Sequence, residues 1–450
     1  MASINIRHAT IVPMDKVRLP PRIIKDGALV IEGNKIVALG KTDEIVKEHR
    51  QSDVTLDGSG TTVIPGFVNV HSHIAASCFR GLLEDIEDDF YGFALPLEDF
   101  LTESSLYYFS LLGAVEAAKF GVTCVNDVYH YSDATARAIE KVGIRGVVAH
   151  KILDVRLSKI KSGVYDREPD LGQRTLSDNV KLVRNWHGKA NGRITCRIGT
   201  HAPDTCSPDL LREAKKISKE LGVGIHIHVA QSQNETQLVR KQYNATSVGY
   251  LDSLGFLDSD VLAAHLIYAS DADLDTLKER DVRIAHCPSI YGKVGCFPKI
   301  GKIYSSGIKV GLGTDWLSMD IWDNLRQAIG VSRILTGTKI LSAHRALGLA
   351  TLESARALNL DNDVGSLAVG KRADVVVVRT KKAHLMPWRN ACQNLAYYAN
   401  GGDVQTVIVD GNIVVQDGEI KTVDEEETIA KAQEAAEQLW SNLPYPDFIP

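Results

Sequence analysis

Between residues 62 and 315 the chain repeats one rhythm: a short β-branched run, then an amphipathic segment with apolar residues every three to four positions. Eight such runs occur: "TVIPGFVNV", "VTCVNDV", "IRGVVA", "ITCRIGT", "VGIHIHV", "VLAAH", "VRIAH" and "IKVGLGTD". Eight βα units in about 250 residues predict an α/β fold, a (β/α)8 barrel of the TIM type. The segment before the fifth run shows the helical grammar. Ser207 can cap it, Pro208 suits its first turn, Leu210, Leu211, Ala214, Ile217 and Leu221 form one stripe, and Gly222 ends it.

Outside this span the grammar changes to paired strands. "GALVIEGNKIVALG" turns at Gly33-Asn34, and "ADVVVVRT" is followed by "VQTVIVDGNIVVQDG", which turns at Asp410-Gly411-Asn412. Isolated hairpins are marginal, so the two termini are expected to meet in one small composite β-sandwich. The division predicted is residues 1–61 for its first part, 62–364 for the barrel, and 365–450 for its second part with a terminal helix.

Six of the eight runs deliver a metal-capable side chain at or near their C-terminal end, where a barrel opens its active site. Residues two apart on a strand share a face, so His71 and His73 aim together, as do His226 and His228. His201, His265, His286 and Asp315 end four further runs. One such histidine is usually structural, but six at matching positions point to a metal site. Imidazoles with one carboxylate suit zinc or iron(II), and an open coordination position lets the cation lower the pKa of a water toward about 7. An aspartate beside it could accept the water's proton, and a histidine outside the coordination sphere could polarise the group under attack.

These residues resemble the amidohydrolase superfamily, in the branch of S-adenosylhomocysteine and methylthioadenosine deaminases, guanine deaminase and the triazine hydrolases. The likeness spans nearly the whole chain, from "PGFVNVHSH" through "FRGL", "GVTCVND", "THAPDTCS", "HIHVAQS", "AAHL", "AHCPS" and "VGLGTD" to "GSLAVGKRADVVVV" and "DVQTVIVDGNIVV". The resemblance implies one divalent metal, zinc ahead of iron(II), on His71, His73, His228 and Asp315. Asp315 would also accept the proton and His265 would assist. It implies substrate contacts from His201 and from Glu98 in "LPLEDFL", a residue placed to hold a ribose diol. His226 and His286 read as interior residues behind the ligands. Trp316 departs from the pattern, and either stacks on a flat substrate or packs between loop and rim.

The other departure is Gln231. Family deaminases carry His-x-x-Glu on this strand, whereas here the third residue after His228 is an amide, which cannot shuttle a proton. Either His265 and Asp315 carry all proton traffic, or Glu235 reaches the site, or the ring needs no protonation. The expected function is metal-dependent deamination of an amino-substituted N-heterocycle: a purine or adenosine-type compound, a pterin or an s-triazine. The rivals are hydrolysis of a chloro- or alkylamino-triazine or a cyclic amide, and a non-catalytic heterocycle-binding relative. A net charge of −5 with scattered Lys and Arg gives no case for nucleic acid. No run of 18 apolar residues occurs, so membrane and secretion are not expected. Seven cysteines without a CxxC pair suggest reduced thiols in the cytoplasm. The resemblance implies a homodimer or homotetramer.

Overall fold

The computed structural model describes residues 3–16, 20–82, 84–85 and 90–442. Eight parallel strand positions follow one another around a barrel: Phe67–Ser72, Val122–Tyr129, Arg145–Ile152, the pair Ile194–Cys196 and Ile198–Thr200, then Ile225–Val229, Val261–His265, Arg283–His286 and Val310–Leu312. Each of the eight runs read from the sequence contributes a strand to this barrel. It closes at the functional rim, where the amides of Thr314 and Asp315 donate to the His71 carbonyl at 3.1 and 2.9 Å, and Ser72 bridges Asp315. The barrel's seam is thus sewn by two residues expected to hold metal. The helix Pro208–Leu221 carries its Ser207 cap, with Leu210, Leu211 and Ala214 buried.

The run "TVIPGFVNV" is two strands rather than one. Thr61–Pro65 pairs with the terminal sheet, and only Phe67–Ser72 enters the barrel. The break falls at Gly66, where a Cβ would stand 2.1 Å from Thr123 Oγ1, so only glycine lets the chain cross so close to the second barrel strand.

The termini do meet. Nine strands form one continuous sheet, in which Val375–Arg379 lies antiparallel between Thr61–Pro65 and Val404–Val409. Ile6, Ile31, Val63, Val375 and Ile408 fill its core together, so neither terminus buries its apolar face alone. The two hairpin turns touch: Gly411, at φ +79°, would place a Cβ 1.9 Å from the Gly33 carbonyl oxygen. A buried ion network then joins sheet to barrel. Arg145 of the third barrel strand binds both oxygens of Asp374 at 2.7 and 2.9 Å and Asp410 at 2.9 Å. The helix Glu425–Ser441 packs on the barrel, not on the sheet, sharing a cluster with Leu106 and Phe109.

Candidate active site

His71, His73, His228, His265 and Asp315 converge at the C-terminal rim, each buried. His71 Nε2 lies 3.2 Å from Asp315 Oδ1, His73 Nε2 lies 3.4 Å from the same oxygen, and His265 Nδ1 lies 3.8 Å from Oδ2. The backbone at this rim is unusual: Ala230, His265 and Asp315, each following its strand or ending it, have φ of 52°, 78° and 66°. Left-handed backbone at three non-glycine residues is a local strain of the kind that persists at functional sites.

The hydrogen bonds behind the rings decide which nitrogens are available. His73 Nδ1 donates to the Val128 carbonyl at 2.7 Å, and His228 Nδ1 donates to the His201 carbonyl at 2.7 Å. Burial, with smaller contributions from neighbouring cationic groups, holds both imidazoles well below their ordinary pKa, so they are neutral. Each Nε2 is then a bare lone pair, and the two face each other at 3.4 Å beside the Asp315 carboxylate. Burial likewise pushes the His71 ring down to about 3, and its Nε2 is buried without a hydrogen-bond partner. Lone pairs and a carboxylate aimed at one point repel one another unless a cation lies between them, so this donor set fits a divalent metal. Burial raises the Asp315 carboxyl above the usual carboxylate range.

The rings' supports come from residues further back. His226 Nε2 meets His71 Nδ1 at 2.8 Å, so the first histidine of "HIH" orients His71 from behind. His201, expected at the substrate, is 1% exposed and serves through its carbonyl, while its own Nδ1 meets Thr205 Oγ1 at 2.7 Å. His286 lies buried against Tyr291 and Tyr304. Cys287 joins His71, His265 and Asp315 in a second metal-capable group, a role the sequence reading missed. Its only signal was its place immediately after a strand-ending histidine.

A cavity of about 280 Å³ opens over the cluster, lined by His73, His228, His265 and Asp315, by Gln231 through Asn234, and by Phe90, Tyr91, Ile267, Tyr268, Ile290 and Trp316. Trp316 is 8% exposed, its ring set edge-on to Phe90 at 5.8 Å, so it both packs and forms cavity wall. Gln231 lines the cavity, and its Nε2 is buried without a partner. Glu235 does not reach it: its two oxygens accept from the Ala230 and Gln231 amides at 2.8 Å each, clamping the turn. Glu98 is not brought to the cavity lining. It receives Lys151 Nζ at 2.5 Å and His130 Nε2 at 2.8 Å. Burial works to raise its carboxyl, but the Lys151 charge and the His130 bond outweigh it and hold the group at about 2. Lys151 was legible as a charge near the end of the third strand, just beyond "IRGVVA", yet its partner was not.

Residues 62–414 match the Amidohydrolase family. The chain is 35% identical over 448 residues to 5'-deoxyadenosine deaminase of Methanosarcina mazei, covering 98% of this chain and 99% of that one. It superposes with a TM-score of 0.88 on an adenosine deaminase from Xanthomonas campestris with bound zinc, at 22% identity, over 97% of this chain and 98% of that one. A glutamate-to-glutamine variant of atrazine chlorohydrolase from Arthrobacter aurescens, complexed with zinc and atraton, gives 0.84 at 23% identity, over 96% of this chain and all of that one. Among the described residues no helix is long and apolar enough to cross a membrane.

Proposed function

The chain belongs to the amidohydrolase family and is a hydrolase of non-peptide C–N bonds; on that premise we propose that it removes ammonia from an amino-substituted aromatic N-heterocycle, using one divalent metal, zinc ahead of iron(II), on His71, His73, His228 and Asp315. The observation that carries this reading is the cluster of bare imidazole nitrogens: the Nε2 atoms of His73 and His228 lie 3.4 Å apart and that of His73 lies 3.4 Å from Asp315, at the floor of a cavity with flat walls. The deaminase relatives support the choice of leaving group. When bound, the cation supplies Lewis acidity and lowers the pKa of a water toward about 7.

The side chains divide the remaining work. Asp315 turns Oδ1 to His71 and His73 and leaves Oδ2 on the His265 side, placed to take a proton from the attacking water. Water oxygen bonds to the amine-bearing carbon, the C–N bond breaks, and the proton held at Asp315 leaves with the amine as ammonia. His265, held neutral by burial, stands beside this path and can hydrogen-bond the oxygen as it develops. Gln231 donates its amide to the ring without moving a proton, and Trp316 and Phe90 supply apolar cavity wall.

One observation favours a second reading. With an amide rather than an acid at Gln231, a ring whose carbon is already electrophilic, such as a chloro- or alkylamino-triazine, reacts without protonation. A homodimer or homotetramer in the cytoplasm accompanies both readings, and the seven unpaired thiols support a reducing compartment. Metal analysis with an ammonia-release screen over purines, pterins and triazines tests the proposal. Bound metal and ammonia from a ring amine are expected. Metal with chloride or alkylamine release alone selects the second reading, and absence of metal after growth with zinc and iron refutes both.

A further inference from the structure

A carboxylate accepting from both hydroxyls is the strong way to hold a ribose diol. The acids facing the cavity therefore bear directly on whether a nucleoside is its natural occupant. Among the described residues one acid lines the cavity, Asp315, and it belongs to the metal cluster. Glu98, the other candidate, is 7% exposed and lies outside the lining, with Lys151 at 2.5 Å and His130 at 2.8 Å. Lys151 is itself 2% exposed, its Nζ 5.3 Å from the Tyr129 ring centre. Turning Glu98 outward would strand a buried ammonium without its counter-charge, which is strongly unfavourable. The ion pair therefore keeps this carboxylate where it is.

Among the described residues the polar side of the cavity is made chiefly of amides, Gln231, Gln233 and Asn234, with Ser232 between them. Gln231 Nε2 is buried with no partner, a donor whose desolvation is offset only by an acceptor on a ligand. Its Oε1 accepts beside it, so the side chain complements a ring edge that offers an acceptor next to a donor. Phe90 and Trp316 supply flat walls. At about 280 Å³ the space lies under the roughly 300–1,000 Å³ of sites for drug-sized ligands, which suits a small ring.

We infer that the cavity takes a ribose-free amino-heterocycle, held by its edge at the Gln231 amide, and that Lys151 is the specificity-determining residue because it keeps Glu98 out of the cavity. This rests on the ring-amine hydrolysis proposed above. The test uses the full chain loaded with zinc. Adenine, guanine, a 2-aminopteridine and melamine are compared with adenosine, 5'-deoxyadenosine and guanosine, by ammonia release and by calorimetric binding. The best ribose-free ligand should exceed the best nucleoside by at least about tenfold in kcat/KM or in affinity. A nucleoside equal to or better than every base overturns the inference, as does binding of no base. If no compound releases ammonia, the hydrolysis reading fails while the binding ratio still decides this one. Lys151→Met should free Glu98 and narrow the ratio by about tenfold or more. An unchanged ratio in the folded variant removes Lys151 from the role, and if that variant does not fold, the wild-type comparison stands alone.

Discussion

Gln231→Glu exchanges an unpartnered amide nitrogen in the cavity wall for an oxygen, and the structure fixes what should follow. The wild-type Nε2 is buried, so a ligand acceptor satisfies it. Removing that donor leaves a ring lone pair facing oxygen, a loss of about 1–3 kcal/mol. At about 1.4 kcal/mol per tenfold, kcat/KM should fall by about 5- to 150-fold. The new carboxyl stands on a turn whose backbone already holds Glu235, in the cavity that holds Asp315, so burial and like charge raise its pKa. It donates only when protonated. The loss should therefore shrink as pH falls through that raised pKa, a limb that wild type lacks. The assay is kcat/KM from about pH 6 to 9, with metal content measured on the same samples. Metal should be unchanged, because the side chain is not among the grouped ligands. If the glutamate variant is faster than wild type at every pH, position 231 is a proton shuttle and the donor argument is wrong.

Three further outcomes are expected. His226→Leu removes the 2.8 Å partner of His71 Nδ1 and should weaken metal affinity by about 10- to 100-fold, read by competition with a chelator. Arg145→Met leaves Asp374, about 1% exposed at the side chain, without its counter-charge and Asp410 with Arg372 alone. It should cost about 3–5 kcal/mol in denaturant unfolding. Glu98 is held at about 2 against an ordinary 4.5, so its pairing stabilises the fold above the unfolded value and is lost as pH falls from 4.5 toward 2. Urea midpoints at pH 5 and pH 3 should differ less in Lys151→Met than in wild type.

What the sequence made legible is what each strand says about itself. Period-two spacing placed His71 with His73 and His226 with His228, and the apolar runs announced where a barrel rim would gather their ends. Even the companion role of His226 follows from that period, since the residue two back on the same face lies one layer deeper. The reading failed where a partner comes from another element. Glu98 and Lys151 lie 53 residues apart and meet across the barrel, so no local pattern shows that the acid is neutralised. His201 was read by its side chain, whereas its carbonyl does the orienting. "TVIPGFVNV" gives no break in β-branched character, and its division at Gly66 is imposed by Thr123 of the neighbouring strand.

The identity of residue 231 follows from the acids behind it. Glu235 is fully buried and gives both oxygens to the amides of Ala230 and Gln231, which holds Ala230 at φ 52° and turns the chain from strand to cavity wall. Asp204, also fully buried, accepts the Tyr91 phenol at 3.2 Å. Burial raises the Glu235 carboxyl, and the nearby Asp204 raises it further. Two acids thus already share the low-dielectric space under this turn. A carboxylate at 231 would be a third, disfavoured both by burial and by its neighbours. Position 235 cannot give up its carboxyl as easily, because two backbone donors need its oxygens and would be left unpaired. Position 231 has no such duty. An amide there completes the cavity wall, keeps a donor and an acceptor toward the ligand, and leaves Asp315 as the one acid lining the cavity among the described residues.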